Sequence, residues 1–201
     1  MTYRVFQKVM IDEQRLSTNL AADVDQHFEQ FVRTYQDRIY GFTLRLTGNP
    51  QDAEECAQDA FVRAYRALHG YPPERRRELR LRAWLYQIAL NVVRNRVRRA
   101  TLRVVPFDGV IEDTLHATAD EQPEVASLRA ENRKKLDTLL RELPERYATA
   151  VTLRHVHGLS YAEAAQILEQ PLGTTKSDVH RGLRLLREAL EPELLLEARS
   201  N

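Results

Sequence analysis

The stretch Gly158–Leu190, GLSYAEAAQILEQPLGTTKSDVHRGLRLLREAL, reads as two helices with a sharp break between them. Ser160 and Glu163 stand three residues apart ahead of an apolar run, a capping box that starts a helix at Tyr161. Ala164, Ala165 and Leu168 give that helix its inward side, and the run EQPLG makes the turn. Thr174 is the expected N-cap of the second helix. Two short helices joined steeply by a tight turn make a helix-turn-helix, whose second helix can enter the major groove of DNA. Lys176, His180, Arg181 and Arg184 then fall on or near one exposed side, with Val179, Leu183 and Leu186 toward the core. An ordinary helical hairpin with a solvated basic face has the same pattern. Ser177 reads equally as a phosphate contact or as a plain surface serine.

Working toward the N-terminus, ERYATAVTLRHVHG is a short helix entered after Pro144 and closed by Gly158. Before it, a helix from about Leu128 has Leu136, Leu139, Leu140 and Leu143 as its apolar side. Residues 104–127 hold two prolines, six acids and no Lys or Arg, the composition of an extended acidic linker. Ahead of the linker, LRAWLYQIALNVVRNRVRRA is a helix with Leu81, Trp84, Leu85, Ile88 and Val92 inward. Its Gln87, Asn91, Arg94, Asn95 and Arg98 recur on another face. The loop HGYPPERRRELR precedes it. Two further helices come first: one with Phe28, Phe31, Val32, Tyr35, Ile39, Phe42 and Leu46 on one face, stopped at Gly48-Asn49-Pro50, and one through QDAEECAQDAFVRAYRAL with Ala53, Ala57, Ala60, Phe61, Ala64 and Leu68 buried. No strand-like alternation is present. The expected fold is all-α: an arm at 1–22, a helical domain at 23–103, the linker at 104–127, a second helical domain at 128–191 and a tail at 192–201.

The formal net charge of the 201 residues is only +1, but its distribution is uneven. Arg75 to Arg103 contains ten arginines against the single acid Glu78, while Asp23 to Leu68 contains eight acids against five arginines. A basic helix with interleaved Asn beside an aromatic loop suits nucleic acid. Arginines neutralise phosphates, amides reach base edges, and Tyr71, Trp84 and Tyr86 are rings on which bases can stack. For Trp84 a core position is the competing reading, and for Tyr86 half-buried packing. The acids of AEECAQD suit either a protein partner or solvent.

Other classes find little support. The one cysteine, Cys56, lies in a helix and reads as a small core residue; a single cysteine excludes an internal disulfide framework and fits a reducing cytoplasm. No window approaches the ~18 apolar residues of a membrane span, and the N-terminus lacks a signal-peptide run. His155 and His157 stand two apart and point to different faces of a helix, a poor metal pair. No phosphate-cradling glycine loop is present. No cofactor, metal, catalytic residue or small-molecule substrate is therefore expected.

Three blocks in order, NPQDAEECAQDAFVRAYRAL, RAWLYQIALNVVRNRVRR and LPERYATAVTLRHVHGLSYAEAAQILEQPLGTTKSDVHRGLRLLR, resemble the two folded domains of bacterial sigma-70-family RNA polymerase sigma factors. With only a short linker between them, the chain looks like the extracytoplasmic-function group. The resemblance implies a subunit without catalytic activity, which binds core RNA polymerase and directs promoter recognition, melting and initiation at a promoter class. It implies docking on the clamp of the largest polymerase subunit through Asp52, Glu54, Glu55, Gln58, Asp59, Phe61 and Arg63, and an approach to the flap of the second-largest subunit. It places Tyr71, Arg75, Arg76, Arg77, Trp84, Gln87, Asn91, Arg94, Asn95, Arg98 and Arg99 at the separated strands of the −10 element. It places Thr174, Thr175, Lys176, Ser177, Asp178, His180, Arg181 and Arg184 at the −35 duplex. An anti-sigma protein is an expected partner.

Two departures bear on the −35 side. Where the family often has LGIPVGTVKSR, this chain has LEQPLGTTKSD. Glu169 stands where a turn glycine is usual, which costs about 1 kcal/mol if that residue is left-handed. Asp178 replaces a common arginine; it either complements the helix dipole or accepts from a cytosine amino group, with weakened −35 affinity as a third reading. The loop GYPPERRRELRLRAW is also longer and richer in arginine than usual. The competing function is a stand-alone helix-turn-helix regulator, which leaves the Asn/Arg helix and the acidic face unexplained. A serine recombinase needs a strand-rich catalytic domain.

Overall fold

The computed structural model describes residues 13–101 and 135–200. The linker expected at 104–127 and residues 1–12 lie outside the described residues. The described chain is helical without strands, and it divides into two units between Gly109 and Val110.

The first unit is a bundle of α1 (13–22), α2 (Val24–Thr47), α3 (Pro50–Gly70), α4 (Pro73–Glu78) and α5 (Leu81–Thr101). Local chemistry sets its boundaries. Asp23 caps α2 by accepting from the Gln26 N–H at 3.0 Å, and Gly48 ends it in the left-handed region at φ 67°. Asn49 accepts from the Asp52 N–H at 3.1 Å and Pro50 takes the first position of α3, where its missing N–H costs nothing. The buried face of α3 is Ala53, Cys56, Ala57, Ala60, Phe61, Ala64 and Leu68. Small residues let α2 and α5 approach closely, and the buried Thr43 hydroxyl lies 2.9 Å from the Ala53 carbonyl, joining α2 to α3. Phe31, Tyr35, Ile39 and Phe42 of α2 meet Leu81, Leu85, Tyr86 and Leu90 of α5 in the interior.

Two expectations change here. Residues 13–22 do not form an arm: they are a helix whose Leu16 and Leu20 are buried, each burial stabilising by about 1.5–3 kcal/mol. Tyr86 is 1% exposed, edge-on to Phe42 at 5.0 Å, and offers no ring to a base. Burial also pushes the Cys56 thiol up, which makes it less reactive.

The second unit holds α6 (135–142), α7 (Glu145–Val151), a single π turn (Thr152–Val156), α8 (Tyr161–Leu168) and α9 (Leu172–Ser200). Leu140, Val151 and Leu186 form a core cluster with Leu139, Leu143 and Val156 against it. Leu183, expected inward, is 37% exposed. Its inward place is taken by Gly182, because a Cβ there would lie 2.6 Å from Val151 Cγ2 and 3.3 Å from the Tyr147 carbonyl. α9 runs through 192–200, so the expected tail continues this helix. No described helix is long and apolar enough to cross a membrane.

Candidate nucleic-acid interface

In the second unit, Ser160 and Glu163 make the full reciprocal capping box: the Glu163 N–H donates to Ser160 Oγ at 3.2 Å, and the Ser160 N–H to Glu163 Oε2 at 2.7 Å. α8 ends at Glu169, which is left-handed at φ 54°, ψ 42° and is the sole non-glycine residue with positive φ among the described residues. α9 starts at Leu172, two residues before the expected cap, and the Thr175 N–H closes its first turn on the Pro171 carbonyl at 3.0 Å.

Six of the eight −35 candidates are exposed: Thr174, Lys176, Ser177, His180, Arg181 and Arg184. Ser177, His180, Arg181 and Arg184 share one face by helical spacing. Ser177 Oγ donates to the Gly173 carbonyl at 3.0 Å, and its lone pairs stay on the surface. Lys176 and Arg154 flank the Tyr161 ring at 6.0 and 4.9 Å from its centroid.

Thr175 and Asp178 are corrections. Both are buried, at 0% and 1% exposure. Asp178 Oδ1 accepts from Arg146 Nη2 at 2.6 Å, Oδ2 accepts from Gln170 Nε2 at 3.2 Å, and Gln170 also donates to Thr175 Oγ1 at 3.1 Å. The aspartate at the tip of the helix thus faces α7 and the turn, away from any groove. It ties three segments of the unit together.

In the first unit, Tyr71 caps α3 and stacks under the Arg75 guanidinium at 3.8 Å, with the half-buried Trp84 ring 6.2 Å from its centroid. These groups form one aromatic–cation cluster beside the start of α5. Asn91, Arg94, Arg98 and Arg99 are exposed along α5, with Gln87 and Asn95 half-buried in the same stripe, and Arg98 donates to Asn95 Oδ1 at 3.0 Å. Arg77 is exposed. Arg76 is a correction: its guanidinium turns inward and donates to the Leu20 carbonyl at 2.9 Å.

The acidic face of α3 is partly occupied from within. Arg96 of α5 forks across Asp52 and Glu55, its contact to Glu55 being 2.7 Å, and this holds the Glu55 carboxyl below the usual range. Charge counting alone grouped Arg96 with the arginines of the basic half. Gln58 donates to Glu54 at 3.1 Å, and Arg63 makes a two-point contact with Asp59 at 2.8 and 3.1 Å. Phe61 is a correction, being buried against Phe31 at 6.0 Å between centroids. The apolar groups exposed on α3 are Val62 and Tyr65, at 46% and 37%. They continue the Glu54–Gln58 face at helical spacing, a signal in the sequence that charge counting passed over.

Residues 31–103 match Sigma-70 region 2 and residues 133–186 match Sigma-70, region 4. The RNA polymerase sigma-H factor of Pseudomonas aeruginosa is 35% identical over 92% of this chain and 97% of its own length. The ECF RNA polymerase sigma factor SigW of Bacillus subtilis is 30% identical over 90% of this chain and 97% of its own. The fold is shared with CnrH, solved with the cytosolic domain of CnrY, at a TM-score of 0.63, 23% identity and coverage of 90% and 97%. It is shared also with the sigma factor RpoE of Bartonella quintana, solved with the anti-sigma factor NepR, at a TM-score of 0.64, 24% identity and coverage of 82% and 96%. Two regions in this order, with full-length relatives at this identity, make the chain a member of the sigma-70 family of RNA polymerase sigma factors, in its extracytoplasmic-function group.

Proposed function

We propose that the chain is the dissociable initiation subunit that carries core RNA polymerase to one class of promoters. Its own part is recognition and strand separation, while the polymerase supplies the chemistry; it is not itself an enzyme, and it works in the cytoplasm. The observation that carries this is the presence on one chain of regions 2 and 4, each with its own exposed basic face. A stand-alone regulator needs only the helix-turn-helix.

The division of labour follows from the chemistry of each face. Lys176, His180, Arg181 and Arg184 present donors, and Ser177 its free lone pairs, on the face that enters the duplex −35 groove. Tyr71, Arg75 and Trp84 offer stacking surface, and Asn91 and Asn95 offer amides, where the −10 strands part. Unstacking a base costs a few kcal/mol, and stacking on an aromatic ring returns about 1–3 kcal/mol. Strand opening therefore needs the amide hydrogen bonds and the phosphate contacts of Arg94, Arg98 and Arg99 as well. Glu54, Gln58, Asp59 and Arg63, with Val62 and Tyr65, form the docking face for the polymerase clamp, and the second unit reaches the flap. An anti-sigma protein is the regulatory partner, in line with the NepR complex of the RpoE fold relative.

The test is transcription. Core polymerase plus this chain should melt and transcribe a promoter that core alone ignores, and the purified chain alone should leave duplex DNA unshifted. A tight duplex shift by the isolated chain, with no gain on adding core, would support the regulator instead.

A further inference from the structure

Helix α4 has six residues, no buried side chain and no side-chain cap. A helix this short without an apolar face has no stability of its own, so its place must be set from outside. The long-range hydrogen bonds that reach this segment come from α1. Arg76 Nη1 donates to the Leu20 carbonyl at 2.9 Å, and the Ser17 hydroxyl, bonded to the Gln14 carbonyl, also lies 3.3 Å from the Arg77 carbonyl. At the far end, Glu13 Oε1 accepts the Arg82 backbone N–H at 2.9 Å. Arg82 is the second residue of α5, whose first turn carries no acid of its own. Glu13 thus caps α5 from another helix, placing a carboxylate where the helix dipole favours one. Leu16 and Leu20 anchor α1 in the core.

We propose that α1 is a positioning element for the segment 71–82, which holds α4 and the start of α5, with Glu13 as its chief positioning residue. By capping α5 and holding Arg76 inward, α1 fixes the Tyr71–Arg75–Trp84 cluster in the orientation that receives an unpaired base. None of the α1 side chains need touch DNA. This inference rests on the reading of the first unit as the strand-capturing one, and the experiment keeps the two separable.

The chain has one tryptophan, Trp84, so its fluorescence reports on this cluster directly. The variant Glu13→Ala with Ser17→Ala is compared with wild type and with Glu13→Gln, which keeps an acceptor oxygen. Three quantities are measured: emission of the free full chain, affinity for core polymerase, and binding of the reconstituted holoenzyme to a promoter fork already melted across the −10 element. The expected result is an altered Trp84 emission, unchanged core affinity, and fork binding weakened about tenfold, the order of one lost base stack, with Glu13→Gln close to wild type. Fork binding and emission equal to wild type in the double variant would overturn the inference. If the wild-type holoenzyme prefers the intact duplex to the fork, the strand-capture reading itself falls, and the inference falls with it.

Discussion

Arg146, in the first turn of α7, donates to Asp178 on α9 at 2.6 Å, and the aspartate side chain it meets is 2% exposed while the arginine side chain is 57% exposed. Burying a carboxylate is tolerable only with its hydrogen-bond partners in place, and here Arg146 and Gln170 supply them. Asp178→Ala should therefore destabilise the second unit by about 2 kcal/mol, the scale of lost charged hydrogen bonds, read by chemical denaturation. Because the side chain does not face the groove, base preference across the −35 element should be unchanged and affinity lowered uniformly. The exchange Arg146→Asp with Asp178→Arg should recover part of the loss. A changed preference at one base pair in Asp178→Ala would restore the cytosine reading.

Gly182 should resist substitution. The Cβ of Gly182→Ala would meet Val151 Cγ2 at 2.6 Å and the Tyr147 Cβ and carbonyl at 3.3 Å each. Overpacking of this kind costs about 1–3 kcal/mol. Truncating the obstructing side chain in the same protein, Gly182→Ala with Val151→Ala, should cost less than the sum of the two single changes, as measured in a double-mutant cycle of unfolding free energies.

Glu169 offers the opposite sign. A residue with a Cβ held at φ 54° is disfavoured relative to glycine by about 1 kcal/mol. Glu169→Gly should raise the midpoint of denaturation of the second unit without changing DNA preference. A fall in stability would mean that contacts of the Glu169 side chain outweigh its backbone.

What the sequence made legible is what local chemistry decides. The Ser160–Glu163 box and the Gly48-Asn49-Pro50 break depend on neighbours within a few residues, so they could be read directly, whereas the left-handed Glu169 was open in the sequence and was raised only by comparison with the family's turn glycine. The family resemblance added the order of the two regions. What stayed hidden depends on partners far along the chain. Asp178 finds Arg146 thirty-two residues away, Arg96 finds Glu55 forty-one away, and Glu13 finds Arg82 sixty-nine away. Tyr86 was misjudged because α5 is covered from two sides, by α2 and α3, which widens its buried face beyond a single stripe. Residues 13–22 have too few apolar positions to announce a helix, and Leu16 and Leu20 gain their weight only from the core they reach.

Asp25 on α2 gives a pH prediction. Its carboxylate accepts from the Tyr65 hydroxyl and lies 3.1 Å from His69 Nε2, and the Tyr65 hydrogen bond is the main cause holding its carboxyl below the ordinary 3.8. The folded value lies below the unfolded one, so the stabilisation is fully present above about pH 4 and is lost as the pH falls through the folded midpoint. A carboxyl titration followed by NMR should give Asp25 a midpoint under 3.8. Tyr65→Phe should move it back toward that value and flatten the acid limb of the stability profile.

The α5 stripe sets the last prediction, on salt dependence. Each phosphate neutralised on a single strand contributes about −0.7 to the slope of log K against log salt. Arg94 and Arg98 are exposed on the same side of α5. Arg94→Ala with Arg98→Ala should therefore reduce the magnitude of the slope for holoenzyme binding to a pre-melted −10 fork by about 1.4. Tyr71→Ala should weaken the same complex by about 5- to 150-fold, the equivalent of 1–3 kcal/mol of stacking, with no change of slope. The two kinds of group act through separate physics, charge release in one case and ring contact in the other, so their signatures should not mix. A Tyr71 variant that altered the slope, or an arginine pair that left it untouched, would remove these residues from the strand-binding surface.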